Sequence, residues 1–115
     1  MGGFYKEVNI KIDLPTAAEA IRRIEANIRN GKALGAAAIK IVHGYGSTGK
    51  GGKIRKEARR YLEEMRVRGV ILDYITGEQF SIFDEQTRRA FGRCADLRQD
   101  RDLEQHNNGM TIIIL

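Results

Sequence analysis

The sequence predicts an α/β fold: a two-layer sandwich of about four strands in a mixed sheet with two main helices, ordered βαβαβ and closed by a C-terminal strand. Three observations predict it. Residues 6–14, KEVNIKIDL, alternate Val8, Ile10, Ile12 and Leu14 with polar neighbours, the period of a half-buried strand. Two more apolar runs of strand length stand at 37–42 and 110–115. The stretches after the first two of these strands place apolar residues at helical spacing. A chain of 115 residues suits one domain, 1–115, with a single core and no staples.

In chain order, residues 1–5 are expected to be a flexible start, and 6–14 the first strand. LPTAAEAIRRIEANIRNG follows as a helix. Thr16 and Glu19 have the capping-box spacing, Ile21, Ile24 and Ile28 share a face, and Gly31 is placed to close the C-terminus. AAIKIV (37–42) is the second strand and runs into His43. The second helix is expected from about Lys53 to Arg66, with Ile54, Ala58, Tyr61, Leu62 and Met65 on its inner stripe and Gly69 behind it. Val70–Ile75 reads as the third strand. From 76 to 108 the pattern weakens into an irregular and helical excursion. There Phe80, Ile82 and Phe83 are expected to fold back onto the core, and Asp84 caps a short helix, EQTRRAFGRC. HNNG is a turn, and MTIIIL is a fourth strand whose unbroken apolar run suggests an inner position.

Composition narrows the function. No apolar run approaches the ~18 residues of a membrane span. The start MGGFYK has no signal-peptide core, and Lys6 stands where myristoylation needs Ser or Thr. Cys94 is the single cysteine, so no intrachain disulfide forms. Cytoplasmic localisation and no membrane partner are the expectations. Charge is uneven along the chain. Residues 50–60, KGGKIRKEARR, hold six of the twenty basic residues and one of the fifteen acids, a net +5; the rest carries fourteen of each and is neutral. A local excess of this kind points to an anionic partner, although a charge run by itself is more often a solvated helix face.

That segment follows HGYGSTGKGGK (43–53), which holds five glycines. With strands one and two parallel, a right-handed crossover brings Asp13 and His43 to one sheet edge, beside the loop and the N-terminus of the basic helix. Taken singly, Asp13 could merely favour a helix dipole, His43 could be a solvated loop residue, and the glycines a linker. His106, in a polar turn, reads as structural. The loop runs one residue short of a nucleotide-binding P-loop, because Gly51 replaces the hydroxyl that would hold Mg²⁺. Asp73, at the end of VILD, imitates that motif's second metal position. No nucleotide cofactor is expected.

IVHGYGSTGKGGKIRKEARRYL resembles the Small MutS-related (Smr) domain, whose signature HGxG corresponds to His43, Gly44, Tyr45 and Gly46. Upstream, VNIKIDLPTAAEAI occupies the place of the family's LDxH element, here the variant Ile12-Asp13-Leu14-Pro15. The resemblance covers most of the chain, least so 76–108. It implies a fold similar to the C-terminal domain of translation initiation factor three, nucleic-acid binding, and in some members DNA-nicking or RNA-cleaving endonuclease activity. Asp13 and His43 match the family's catalytic positions, while Pro15 stands at its histidine and can neither give nor take a proton.

The function expected is binding of DNA or RNA by shape over sequence, since phosphate contacts do not read bases. Gly44, Gly46, Lys50, Lys53, Arg55 and Lys56 are the candidate phosphate-binding residues, and Asp13 and His43 the candidate catalytic ones. No metal ligand is assigned, because one carboxylate is a poor cage; a divalent cation enters only with hydrolysis. The alternative is a non-catalytic module that docks its basic helix on the ribosome or another RNA assembly.

Overall fold

The computed structural model describes residues 3–44 and 51–115. Strand β1 spans Tyr5–Asn9 and stops short of the alternating pattern. After Asn9 the chain turns. The Asn9 side chain accepts the Lys11 N–H (2.9 Å), and the Leu14 N–H donates to the Lys11 carbonyl (3.1 Å). Asp13 and Leu14 lie in the left-handed region, at φ 64° and 49°. Val8 and Ile10 face the core as their period predicts, whereas Ile12 and Leu14 stay exposed. Alternation alone cannot separate a strand from a turn that carries aliphatic residues. The chain start is held in place from Gly3 onward, whose N–H reaches the Arg93 carbonyl (3.3 Å).

Helix α1 (Ala17–Leu34) begins at the expected capping box. Thr16 Oγ1 accepts the Glu19 N–H (3.2 Å), and Glu19 Oε1 accepts the Thr16 N–H (3.1 Å). Gly31 does not close it. The helix runs on to Gly35, which takes φ 76° as a left-handed cap. Gly31 lies inside because a Cβ there would stand 2.8 Å from both the Ile39 and Leu115 Cδ1 atoms. Strand β2 (Ala38–Val42) follows, then helix α2 (Gly51–Val67) and strand β3 (Asp73–Thr76). Ile54, Ala58, Leu62 and Met65 are the buried stripe of α2, with half-buried Tyr61 packed against it. β3 starts later than its apolar run suggests. Residues 70 and 71 instead cap α2, their N–H groups reaching the Met65 carbonyl (2.9 and 3.4 Å).

The excursion contains a 3₁₀ turn (Gly77–Gln79), helix α3 (Glu85–Arg93) and a second 3₁₀ turn (Ala95–Gln99). Asp84 caps α3 as expected, accepting the Thr87 N–H at 2.9 Å. Phe80 folds into the core, but Ile82 and Phe83 remain exposed. Strand β4 (Met110–Ile114) closes the chain.

The four strands form one mixed sheet in the order β1-β2-β4-β3. β1 and β2 are parallel, and β4 is antiparallel to both β2 and β3. The helices α1 and α2 pack on one face, giving the expected α/β sandwich. The excursion turns back over the other face, where Phe80, Ala90, Phe91, Cys94 and Leu97 meet Ile112 and Ile114. β4 is therefore internal and covered on both sides, which is why its apolar run has no alternation. Among the described residues, no helix is long and apolar enough to cross a membrane.

One charged residue lies under the excursion. Lys40, in the middle of β2, is fully buried, with its Nζ 2.8 Å from Asp100, 2.5 Å from Asp102 and 3.5 Å from Glu7. The Tyr5 hydroxyl donates to Asp100 at 2.6 Å. Burial works against the ammonium, but Asp100 and Asp102 outweigh it and raise the Lys40 pKa. An ammonium without those carboxylates would be far too costly in this position. The cluster locks the 100–102 segment onto β1 and β2.

Candidate functional site

Strand direction assembles the site. β1, β2 and β3 run the same way, so Asn9, Val42 and Thr76 end at one edge, where β4 begins at Met110. Four segments converge there: the 10–14 turn, His43–Gly44, the turn after Thr76, and Gly109–Thr111. Helix α2 starts from the same side, with no acid in its first turn. The parallel β1–β2 pairing on which the convergence of Asp13 and His43 depended is present.

His43 is fully buried at this edge. Its N–H donates to the Gly109 carbonyl (2.9 Å), as does the N–H of Gly44 (3.0 Å). Gly44 has φ 78°, a backbone that favours glycine. The ring contacts determine the tautomer. Nδ1 lies 2.8 Å from the Gly44 carbonyl, which can only accept, so Nδ1 carries the proton. Nε2 then accepts from the Thr111 hydroxyl at 2.9 Å. That hydroxyl accepts in turn from Arg59 Nε at 3.4 Å. Every polar atom of the imidazole is thereby satisfied.

Burial pushes the His43 pKa down to about 4; the Gly44 carbonyl opposes this, and the charges of Arg59 and Arg55 add to it. At neutral pH the ring is uncharged. A neutral imidazole with both nitrogens engaged donates no proton to a leaving oxygen, and becomes a base only once Nε2 is released.

Arg59 is held on its far side by Glu78 in a bidentate pair, at 3.0 and 2.7 Å. The same pairing keeps the Glu78 carboxyl below its usual range. The Glu78 carbonyl accepts from His106 Nδ1 at 3.1 Å, so His106 has a structural contact at this edge. Lys11 approaches from the 10–14 turn: a Cβ on Gly44 would lie 3.4 Å from its Cδ and 3.9 Å from its Nζ. Lys53 and Lys56 are exposed on α2, and Arg55 is half-buried. Arg60 points outward, 3.6 Å from Glu57.

The other expected site residues fall out as follows. Asp13 is exposed in the 10–14 turn, past the end of β1, and the ring nitrogens of His43 are bonded to Gly44 and Thr111 instead of to it. Gly46 and Lys50, with Tyr45 of the HGxG signature, lie outside the described residues. Asp73, the position that imitated a P-loop metal site, sits at the opposite edge, paired across β4 with Ile114. Its carboxylate accepts both contacts from Gln86 Nε2 at 2.9 Å. Register thus separates it from His43 and Gly44 by the length of the strand. Among the described residues, no group of three or more His, Cys, Asp or Glu side chains is placed to hold a metal ion.

Thr111, Arg59 and Glu78 escaped the sequence reading. Thr111 stands just ahead of the apolar run Ile112–Leu115, and its hydroxyl at the start of that strand was the available signal. Arg59 was visible only as one charge in a basic run. Comparison of the chain with protein families, with curated proteins and with solved structures finds no match.

Proposed function

We propose that this domain binds the sugar–phosphate backbone of a nucleic acid at the edge where β1, β2 and β3 end. The observation that carries the reading is the placement of the chain's excess charge. Residues 51–60 of the +5 segment form the start of α2 at that edge, close enough for Arg55 and Arg59 to depress the His43 pKa. The N-terminal end of α2, free of acids in its first turn, adds the positive end of a helix dipole. Gly44 leads into the glycine-rich stretch, whose Gly46 and Lys50 belong to the same proposed grip. His43 serves as a positioning residue, tying Gly44 to Thr111. Binding is by shape and charge, in DNA or RNA, and the family resemblance favours the same partner.

Salt dependence tests it. Arg59 is engaged by Glu78 and Arg60 faces away, so the described cations available to phosphates are Lys11, Lys53, Arg55 and Lys56. About four contacts predict that affinity falls on the order of 10² between 50 and 200 mM salt. Anisotropy titrations with labelled DNA and RNA duplexes measure this. A flat response removes the electrostatic basis of the reading.

The geometry supports binding ahead of hydrolysis, because His43 is neutral and fully bonded. Incubation with supercoiled DNA and structured RNA, with and without Mg²⁺ or Mn²⁺, tests the endonuclease extension. Cleavage abolished in both Asp13→Ala and His43→Ala would assign hydrolysis to this edge. Cleavage that persists in both would assign it elsewhere.

A further inference from the structure

The turn from Ile10 to Leu14 is tightly held, and while Ile10 is buried in the core, Ile12 and Leu14 stay exposed. Arg23 of α1 donates one guanidinium nitrogen to two of its carbonyls, Ile10 (3.1 Å) and Ile12 (2.6 Å). Asn9 and Lys11 supply the further contacts that close it. Inside it, two consecutive non-glycine residues adopt left-handed backbone, Asp13 at φ 64° and Leu14 at φ 49°. Aspartate tolerates that region, but leucine is disfavoured there. Such strain persists where surrounding contacts over-determine it, and it gathers at binding sites. The conformation leaves Ile12 57% and Leu14 70% exposed. A turn kept only for its own stability would place glycine at position 14 and polar residues at the tips.

Its neighbours identify the occupant. The turn follows β1 at the edge that holds His43, and Lys11 between its ends lies against Gly44. Ile12 and Leu14 flank the exposed Asp13, with Lys11 beside them and the basic start of α2 at the same edge; aliphatic side chains on an edge of net positive charge match a polyanion that also offers flat apolar surfaces, which describes a nucleic acid with unstacked bases. A second copy of this chain would bring two basic edges face to face, so like charges disfavour it.

We propose that Ile12 and Leu14 form an aliphatic wedge that packs against unstacked bases at a bulge or mismatch, while the adjoining cations hold the backbone. This rests on the nucleic-acid reading above and specifies its substrate class. Apolar side chains placed between base steps are a general way of gripping distorted duplexes, and least work is needed where stacking is already interrupted.

The test uses the full chain and a hairpin duplex carrying a single-nucleotide bulge flanked by 2-aminopurine, in DNA and RNA forms, beside the fully paired hairpin. The native protein is expected to bind the bulged form about tenfold more tightly, the size of partial burial of two aliphatic tips, and to raise 2-aminopurine fluorescence. Leu14→Gly removes one tip and relieves the left-handed strain. Its unfolding midpoint should rise by roughly 4–8 °C. Its preference for the bulge should fall to near unity, with paired-duplex binding unchanged. Ile12→Ser should lose the preference without the rise in midpoint. Equal binding of bulged and paired forms by the native protein would overturn the wedge and leave backbone binding standing. No binding of either form would overturn both. Self-association in sedimentation that disappears in Leu14→Gly would reassign the two side chains to a contact between copies and overturn the wedge.

Discussion

A His43→Gln variant should lose the pH dependence of stability that the native domain shows between about pH 7.5 and pH 5. The native ring is fully buried and its pKa is held down to about 4, against 6.5 for a free histidine. Between those two values the unfolded chain carries a proton that the folded chain refuses. Stability is therefore complete above 6.5, falls as pH drops toward 4, and changes no further through this group below that. At about 1.36 kcal/mol per pH unit, roughly 2 kcal/mol disappears between pH 7.5 and 5. Carboxylates held low by their partners, Asp84 and Asp100 among them, lose their contribution at lower pH, outside this window. Urea unfolding followed by far-UV circular dichroism, at half-unit steps of pH, gives both curves. Glutamine should start lower at neutral pH, having disturbed the contacts to Thr111 and Gly44, but its curve should be flat across the window. If both proteins lose the same stability over this range, His43 is not the buried neutral group described above.

The Lys40 cluster makes a second prediction. Lys40→Met leaves Asp100 and Asp102 facing an apolar side chain and should cost about 3–5 kcal/mol in urea unfolding. Adding Asp100→Leu should restore part of that loss, so a double variant no more stable than Lys40→Met would contradict the pairing. Gly77→Ala is the sharpest steric test, because its Cβ would stand 1.6 Å from the Asn107 carbonyl oxygen, a backbone atom that cannot swing away. A loss of more than about 3 kcal/mol is expected. An unchanged melting temperature would mean that the turns after β3 and before β4 do not meet as described.

Much of the fold was legible because local chemistry agreed with the tertiary outcome. Thr16 and Glu19 mark the start of α1, Asp84 marks α3, and the spacing of Ile24 and Ile28 names the buried face. Errors fell where a residue type serves two purposes. Gly31 reads as a helix stop, but glycine is there for close packing against Ile39 and Leu115. Ile12 and Leu14 continue a strand pattern after the strand has ended, because Arg23, thirteen residues beyond Ile10, bends the backbone away. Phe83 looks like core and is 83% exposed.

For the site, the amino-acid order already locates the positive charge and the loop it follows, since charge and glycine content need no folding to be counted. Tertiary structure alone decided what those groups meet. His43 is bonded to Thr111, sixty-eight residues away in sequence, and Arg59 to Glu78, nineteen away. Lys40, one residue of the AAIKIV strand, is the buried centre of an ionic cluster with Asp100 and Asp102, sixty or more residues away. The physical reason is common to all three. A side chain's protonation and reach depend on how much water surrounds it and which dipoles replace that water, and both are set by strand order and register.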